Sequence, residues 1–588
     1  MRIVSLDIQN FRCIKQAHIA FKSQTVLVGD NNCGKSTVLE AIDLVLGPDR
    51  MSRHPVVDEY DFFTGKYLNN DEPIQILSEV VVIDLSEEQL RYFNSHIEWY
   101  DTENMSMLSE PPASQTDKDN VVPALRVRFV GNYNKDEDDF EGYTYYANPP
   151  AIADGKPDVF SKKDKRMCGF LYLRTLRTGS RALSMEHGSL LDIILSIKEL
   201  RPQMWEDVIH QINHVAVAAE PEFGISEVLT SLQDEIHKFL PADTANNPVM
   251  KVSDLTRENL RRAITVFLDS GLRREDDTVY TVPYYKMGTG TINVLVLSLL
   301  RIIANLKQKV IFAMEEPEIA IPPYIQKSII TNVLSNSHQA IFTSHSPYVL
   351  EEFSPDNVIV LSNDMGVLNY EAAKLPPQVK LKAYREDLRR KYFESLLSKR
   401  VLITEGRTEY DVYSAAARRL EELDSAKYAS FDRMGIALVN AESDSKVAPL
   451  GKYYKSLNKT VYAVFDKQDE IASKNIAESV DEAYEAQEHG IENVVLNGIS
   501  EAALRRYTNE IIADGRWPSD LVGETPTPDV NYSELKGIMF KFFKRKKGEG
   551  ALADLISQCK ADEFPTFVSD TISDIKSKID SILLEQYT

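Results

Sequence analysis

Cysteine is scarce: the 588 residues include four, Cys13, Cys33, Cys168 and Cys559. They lie far apart, with no CxxC pair and no histidine cluster at zinc-ligand spacing. Neither a disulfide framework nor a zinc site is expected, and a reducing cytoplasm fits best. Long apolar runs are missing as well. The best, residues 292–303, carries polar residues and is short enough for a buried helix, so no membrane span is expected. The N-terminus alternates polar and apolar residues and lacks the charged region and apolar block of a secretory signal. Positive charge is in deficit, with 67 Lys and Arg against 89 Asp and Glu leaving a net charge of −22. Affinity for nucleic acid comes from clustered cations that release counterions, so any such contact must be local. Two basic stretches offer one: residues 385–400, and the group Lys541, Lys544, Arg545, Lys546 and Lys547. Each has a simpler reading as a solvated helix face, which for residues 385–400 stands level with the binding one. No fixed-period repeat is present, which excludes a solenoid.

What is present is a long, patterned chain. Its length exceeds what one core can hold, and an apolar fraction of 43% is enough for two to four domains. Val4, Leu6 and Ile8 alternate with polar neighbours as a half-buried strand does, whereas residues 25–28 are continuously apolar, as in a buried one. Val38, Leu39, Ile42 and Val45 then recur at helical spacing until Gly47 and Pro48 stop them. Residues 101–120, 133–139 and 148–158 are polar, charged or proline-rich and read as exposed loops. From 183 to 271 the pattern turns mainly helical, with amphipathic stretches at 190–200 and 227–240. Strand and helix signals alternate again afterwards: strands at 310–314 and 340–343 with a helix at 324–334 between them, then strands at 401–404, 436–439, 461–465 and 494–496, each followed by a helical segment. This describes two successive α/β domains with mainly parallel sheets, joined at the charged helix 384–399.

The first chemical signal is Gly29-Asp-Asn-Asn-Cys-Gly34-Lys35-Ser36, a full GxxxxGK[ST] between an apolar strand and a helix. Backbone N–H groups of Gly29, Asn31, Asn32, Gly34 and Thr37 would curl around phosphate at the positive end of the helix. Lys35 would reach the β and γ oxygens and Ser36 would bind magnesium. A second apolar strand ends on Glu315 and Glu316, followed by Pro317, the form of a Walker B element. There Glu315 would hold magnesium through water and Glu316 would polarise the attacking water. His345, in Thr343-Ser344-His345-Ser346-Pro347 at the end of the next strand, is placed as a switch histidine against the γ-phosphate. An acidic pair after a strand also occurs as a helix cap; the three elements together favour the ATPase reading.

Ile8-Gln9-Asn10-Phe11-Arg12, the phosphate loop, Glu315-Glu316-Pro317-Glu318 and Ser344-His345-Ser346-Pro347 resemble the ABC-type ATPase heads of the SMC, RecF and OLD (overcoming lysogenisation defect) group. In that group two heads sandwich ATP and a signature segment of the partner reaches the γ-phosphate. Met287-Gly288-Thr289-Gly290-Thr291 resembles that signature, without the full LSGGQ form, and implies nucleotide contacts at Gly288 and Gly290 and a homodimer. The insertion is short and not heptad-like, unlike an SMC arm.

The second signal is Thr404-Glu405-Gly406-Arg407-Thr408-Glu409, a carboxylate at a strand end, a glycine in the turn and an acid on the first turn of the next helix. Asp466 follows another strand, with Asp469 close behind, so these acids meet at one sheet edge. Hard carboxylate oxygens suit Mg²⁺ or Mn²⁺, which activates water and neutralises a leaving oxygen in phosphodiester cleavage. Each acid alone reads as a surface charge; their order at strand ends argues otherwise.

This second set resembles a Toprim domain, and Toprim after an ABC-type ATPase is the arrangement of OLD family nucleases. The resemblance implies an ATPase head at residues 1–182 and 272–383, a helical insertion at 183–271 suited to dimerisation, and a Toprim nuclease domain at 384–588. It assigns Glu405 and Glu409 to the first acidic motif, Asp466 to the DxD motif, Ser500-Glu501 to a later acidic motif and Lys547 to a charge-stabilising lysine, with Lys544 the alternative. Two departures stand out: Gln468 occupies the second DxD position, with Asp469 displaced by one residue, and Asn440-Ala441-Glu442-Ser443-Asp444 replaces a glycine-rich turn. Asp469, Glu442 or Asp444 would have to compensate. Expected cofactors are ATP and Mg²⁺ or Mn²⁺. Expected partners are nucleic acid, most simply double-stranded DNA, a second copy of the chain, and a companion defence protein such as a helicase or reverse transcriptase. The competing expectation is a RecF-like DNA-binding or signalling ATPase with a degenerate Toprim module. Tyr284 and Tyr285 read first as packing residues, and Arg174 and Arg177 stay outside the site.

Overall fold

In a computed structural model the described residues are 1–48, 50, 55–108, 120–148, 157–173, 183–186, 189–198, 200–213, 225–238, 256–306, 310–318, 322–376 and 386–587. The chain separates into two compact units, residues 166–340 with Met1, and residues 2–165 with 341–588. No described helix is long and apolar enough to cross a membrane.

The larger unit begins with the antiparallel strands β1 (Arg2–Phe11) and β2 (Ile14–Ala20). In β3 (Gln24–Val28) every residue after Gln24 is buried, as a continuously apolar run requires. Helix α1 (Lys35–Leu46) buries Val38, Leu39, Ile42 and Val45 and ends where the Gly47 N–H reaches the Asp43 carbonyl. Five further strands extend the main sheet: β4 (Ile76–Ile83), β5 (Val121–Asn134), β6 (Gln339–Thr343), β7 (Val358–Asp364) and β8 (Val367–Ala372). Their order is β6-β3-β7-β8-β2-β1-β4-β5. β3 with β7 and β2 with β8 pair in parallel, while β1 with β4 and β4 with β5 are antiparallel. The expected loop at 101–120 contains a short strand, Ser106–Leu108, paired with Glu98–Asp101. Residues 133–139 form the tip of a hairpin between β5 and Asp139–Tyr146, where Tyr133 packs on Phe140 at 5.3 Å.

The same unit holds a second, wholly parallel sheet. Helix α2 (Glu386–Leu397) leads into β9 (Arg400–Thr404), α3 (Arg407–Leu423), β10 (Ile436–Asn440), α4 (Val447–Ser456), β11 (Thr460–Phe465), α5 (Glu470–Ser479) and β12 (Glu482–Glu485). The order is β10-β9-β11-β12. After it come α6 (Ile491–Gly498), α7 (Glu501–Ala513) and α8 (Tyr532–Arg545). The strand expected at 494–496 is therefore the middle of α6. Val494, Val495 and Leu496 are buried there beside Leu535 and Met539, and three consecutive apolar residues do not distinguish a buried helix from a strand. The fourth strand is Glu-Ala-Tyr-Glu at the sheet edge, half-buried throughout, which hid it from a search for apolar runs.

The smaller unit pairs Phe170–Leu173 in parallel with Ile311–Glu315. Helices Leu190–Ile197, Arg201–Asn213, Ile225–Ile236 and Arg257–Ala263 follow the amphipathic pattern, with Met185, Trp205 and Leu260 buried together. The helical run stops at Ala263, short of the expected 271. Phe267–Arg273 is instead one strand of a hairpin with Val279–Pro283, closed by a turn at Asp277, whose φ is 64°. Helices Thr289–Leu306 and Pro323–Asn336 flank Ile311–Glu315 in sequence.

Candidate active site

The phosphate loop leaves β3 at Gly29 and enters α1 at Lys35. Gly29 has a φ of 150°, and a Cβ there would stand 2.4 Å from the Leu361 carbonyl oxygen, so only glycine passes this point of β7. Asn32 and Gly34 also have positive φ, which curls the loop. Lys35 is buried and its ammonium donates to the carbonyls of Gly29 at 3.0 Å and Asp30 at 2.7 Å. Asn31, Asn32 and Ser36 are exposed at the loop surface. Thr37 is buried, with Cys13 Sγ 3.4 Å from its hydroxyl. His345 follows β6, the neighbour of β3, and the Ser344 N–H bonds the Leu27 carbonyl at 3.3 Å, so His345 and the loop leave adjacent strands.

In the smaller unit Glu315 ends its strand, buried, and accepts a hydrogen bond from the Tyr172 hydroxyl at 2.8 Å. Glu316 has a φ of 42°, a conformation strained for a non-glycine residue and followed here by proline. Strain of this kind persists where the fold must aim a side chain. Gly288 has open space where a Cβ would stand, and Gly290 lies in the first turn of Thr289–Leu306. Tyr284 is fully buried with Tyr285 edge-on at 5.7 Å, the packing role expected of it. Arg174 and Arg177 lie outside the described residues.

The acidic set assembles at the C-terminal edge of the parallel sheet. Glu405 follows β9, Asp466 follows the adjacent β11, and the Asp466 N–H donates to Glu405 Oε2 at 3.2 Å. A Cβ on Gly406 would stand 2.7 Å from Glu409 Oε2, so the glycine lets that carboxylate fold back over the turn. Glu409 is 8% exposed, and burial, followed by the charges of Asp466, Glu405 and Glu492, pushes its carboxyl up to about 7. Burial likewise raises Glu405 and Asp466, each pushed further by a neighbouring carboxylate. Carboxylates that raise one another in a half-buried site are a donor set for a hard cation. Among the described residues no three His, Cys, Asp or Glu side chains already surround a common point, so binding an ion would require side-chain rotation.

The remaining candidates separate. Lys547 lies 3.7 Å from Glu492 Oε1, and its charge lowers both Glu405 and Asp466. Lys544 instead lies over the Phe540 ring at 5.7 Å. Gln468 donates to Glu405 Oε2 at 3.5 Å. Asp469 is the cap of α5, accepting from the Ala472 N–H at 2.8 Å. Glu442 pairs with Lys446 at 3.0 Å, while Asp444 acts on Glu405. Glu501 is exposed on the first turn of α7, where Arg505 takes its carboxylate at 2.7 Å.

The acid facing the cluster from the later segment is Glu492, which the sequence reading missed. It is 7% exposed on the first turn of α6, and the N–H of the preceding Gly490 donates to Asp466 Oδ2 at 2.7 Å. The signal was His489-Gly490-Ile491-Glu492, a glycine with an acid just inside the next helix, the same device as Gly406 and Glu409. Much of the second basic stretch is spent internally, Lys541 pairing with Glu524, Arg545 with Asp520 and Lys546 with Glu549, while in the first Arg390 pairs with Glu351.

The two domains of the larger unit meet behind the phosphate loop. On β7, Leu361 abuts Gly29, Asn363 donates to the Cys13 and Cys33 carbonyls at 2.9 and 3.5 Å, and Ser362 accepts from Asn458 Nδ2 at 3.0 Å. Lys459, next to it, is buried with its ammonium donating to the Leu396 and Ser398 carbonyls. Burial holds it down at about 8, offset in part by the charge of Asp30 in the phosphate loop.

Comparison with known proteins matches an AAA ATPase domain at residues 1–141 and 182–350, more than half of the chain, and the Toprim domain of overcoming lysogenization defect protein-like sequences at residues 396–468. The Old nuclease of Escherichia phage P2 is 21% identical over 465 residues, covering 73% of this chain and 72% of that protein. The OLD nuclease of Thermus scotoductus is 48% identical over 42 residues, 7% of this chain and 8% of that protein. Solved structures that match include an SMC head bound to the C-winged helix domain of ScpA (13% identity, 63% of this chain, 98% of that chain, TM-score 0.35) and the SMC head domain from Thermotoga maritima (12%, 64%, 100%, 0.29). Likeness of that degree supports no conclusion. The two matched domains in this order place the chain in the OLD family, an ATPase domain fused to a Toprim nuclease domain.

Proposed function

We propose that this chain is an ATP-regulated endonuclease or nickase that uses a divalent cation, Mg²⁺ or Mn²⁺, to cut DNA, in cytoplasmic defence against phage or foreign DNA. The observation that carries the reading is the meeting of Glu405, Glu409, Asp466 and Glu492 with Lys547 at one edge of the Toprim sheet. Those four carboxylates would hold the cation, which when bound supplies an activated water and neutralises the leaving oxygen. Lys547, 3.7 Å from Glu492 Oε1, would offset charge building on the scissile phosphate. Glu409, protonated up to about neutral pH, must give up its proton to act as a ligand. At the other site Lys35 and Ser36 would take the phosphates and magnesium of ATP, with Glu315, Glu316 and His345 acting on the γ-phosphate and Gly288 and Gly290 of a second copy completing it. Regulation is supported by β7, which carries Leu361 and Asn363 against the phosphate loop and Ser362 against Asn458 at the foot of β11, the strand that ends on Asp466. A companion helicase or reverse transcriptase fits the same defence role.

Supercoiled plasmid with Mg²⁺ or Mn²⁺, with and without ATP, tests the reading. Metal-dependent nicking is expected, and Glu405→Gln should abolish it without lowering the melting temperature. Retained nicking in that variant refutes the site. One observation favours the RecF-like alternative: Gln468 fills a ligand position with an amide that donates to Glu405. No nicking by the wild-type protein in either metal supports that alternative.

A further inference from the structure

An open groove of about 390 Å³ runs along α4, on the side of the Toprim sheet away from α3. Ala448, Lys452 and Ser456, at i, i+4 and i+8, form one wall, Pro449, Tyr453, Asn475 of α5 and Lys374 with Pro376 beyond β8 line the rest, and among the described residues no carboxylate lines it. This is unusual ground in a chain with a net charge of −22. Lys446 and Lys455, on either side of Lys452 along the chain, are each paired with a carboxylate. Lys374 and Lys452 are exposed and have no acidic partner among the described residues. Ammonium groups beside the Asn475 amide match a phosphodiester, which offers anionic oxygens to the first and acceptors to the second, while the Ser456 hydroxyl is already given to the Tyr453 carbonyl at 2.7 Å.

The position of the groove gives this a direction. Helix α4 begins at Val447, directly after the Glu442 to Lys446 turn that leaves β10 at the catalytic edge, and descends to Ser456. Its groove wall from Ala448 to Ser456 thus extends about 12 Å away from the acidic cluster. The floor is rigid: Tyr453 is buried and its hydroxyl is 2.7 Å from that of Tyr392 on α2.

We propose that the groove between Lys374 and Lys452 binds the phosphodiester backbone of the nucleic acid that is cut at the Glu405 and Asp466 edge, holding the strand beside the cleavage point. The inference rests on the nuclease reading of that edge. The basic group on α8, predicted from sequence, does not serve this purpose, since Lys541, Arg545 and Lys546 are matched by carboxylates.

The test measures binding apart from cleavage. Fluorescence anisotropy of a short fluorescein-labelled DNA duplex is followed in EDTA over a salt series, for the wild type and for Lys374→Gln with Lys452→Gln. Two lost phosphate contacts lower the slope of log affinity against log salt by about 1.8 and weaken binding about tenfold or more at low salt. Because neither lysine makes an ion pair among the described residues, the melting temperature is expected to stay unchanged, and an unchanged value confirms that the variant is folded. An unchanged slope with a wild-type protein that binds overturns the groove and leaves the nuclease reading standing. A wild-type protein that binds no duplex, with or without Mg²⁺, overturns both. Heat of binding to inorganic phosphate that depends on the two lysines, with duplex affinity unaltered, assigns the groove to a small anion and also overturns the proposal.

Discussion

Glu409 is where burial and chemistry conflict most directly. Its carboxyl titrates near 7 because burial and then three neighbouring carboxylates oppose its charge. An acid raised in the folded state binds its proton more tightly there than in the unfolded chain, so the metal-free protein loses stability as pH rises from about 4.5 to about 7, by up to about 3 kcal/mol. Thermal melts in EDTA should show that decline, and Glu409→Gln should flatten it. The cation takes the deprotonated form, so Mg²⁺ should raise the melting temperature of the wild type above pH about 7 and hardly at all below about 5. An equal Mg²⁺ effect across that range contradicts the ligand role. Lys547 and Lys544 separate by the same reasoning. Lys547 acts on both Glu405 and Asp466, and Lys544 rests on an aromatic ring. Lys547→Met is expected to slow plasmid nicking about 100-fold, the usual cost of one lost transition-state partner. Lys544→Met is expected to change it little, and the reverse ranking would transfer the role to Lys544.

The proposed link between the two chemistries belongs to the elements. Asn458 and Lys459 form the turn into β11, with Asn458 on β7 and the Lys459 ammonium held by carbonyls at the end of α2. Lys459→Met, together with Asn458→Ala, is expected to leave a metal-dependent nicking rate that no longer responds to ATP; an undiminished ATP effect places the coupling elsewhere. Lys459 also has a signature of its own. Its folded pKa is depressed from 10.5 to about 8, so between those values the unfolded chain keeps a proton that the folded one has released. Stability therefore rises with pH through that window, and the methionine variant should lack the rise. Strands and turns of this kind differ in how openly the sequence announces them. β3, β9 and β11 are continuous apolar runs followed at once by Gly29, Glu405 or Asp466, so both the fold and the placement of the candidate residues at strand ends were legible there. β12 was not, because an edge strand needs no apolar run, and α6 was misread because Val494 to Leu496 suit either state. Glu492 was lost with it: once α6 is taken for a strand, its first turn cannot be recognised as facing the acidic cluster. Glu501 was preferred for its Ser-Glu form, which marks the cap and first turn of α7.

For the whole molecule, the decisive question is whether ATP brings two copies together. The helix Thr289–Leu306 leaves Val294 and Ile302 about half exposed, at 52% and 41%, two turns apart on one face with Ser298 between them. Just before it, Gly288 has no described residue within reach of an added Cβ, so none of these residues demands glycine there. A second copy carrying nucleotide would, because a signature segment approaches the γ-phosphate by its backbone. Gly288→Gln is therefore expected to keep the melting temperature of the wild type. Mass measured by light scattering in ATP should then separate the two ideas, with Glu316→Gln used to slow hydrolysis. Glu316→Gln alone should shift to twice the monomer mass on adding ATP, and the double variant with Gly288→Gln should not. Charge adds a further requirement, since each copy has a net charge of −22 and two such bodies repel across the distance that salt leaves unscreened. The ATP-dependent dimer should thus tighten as ionic strength rises toward about 0.5 M, opposite to the behaviour of DNA binding, which weakens with salt. A dimer that forms equally with and without ATP, or that survives Gly288→Gln, removes the signature role from this segment.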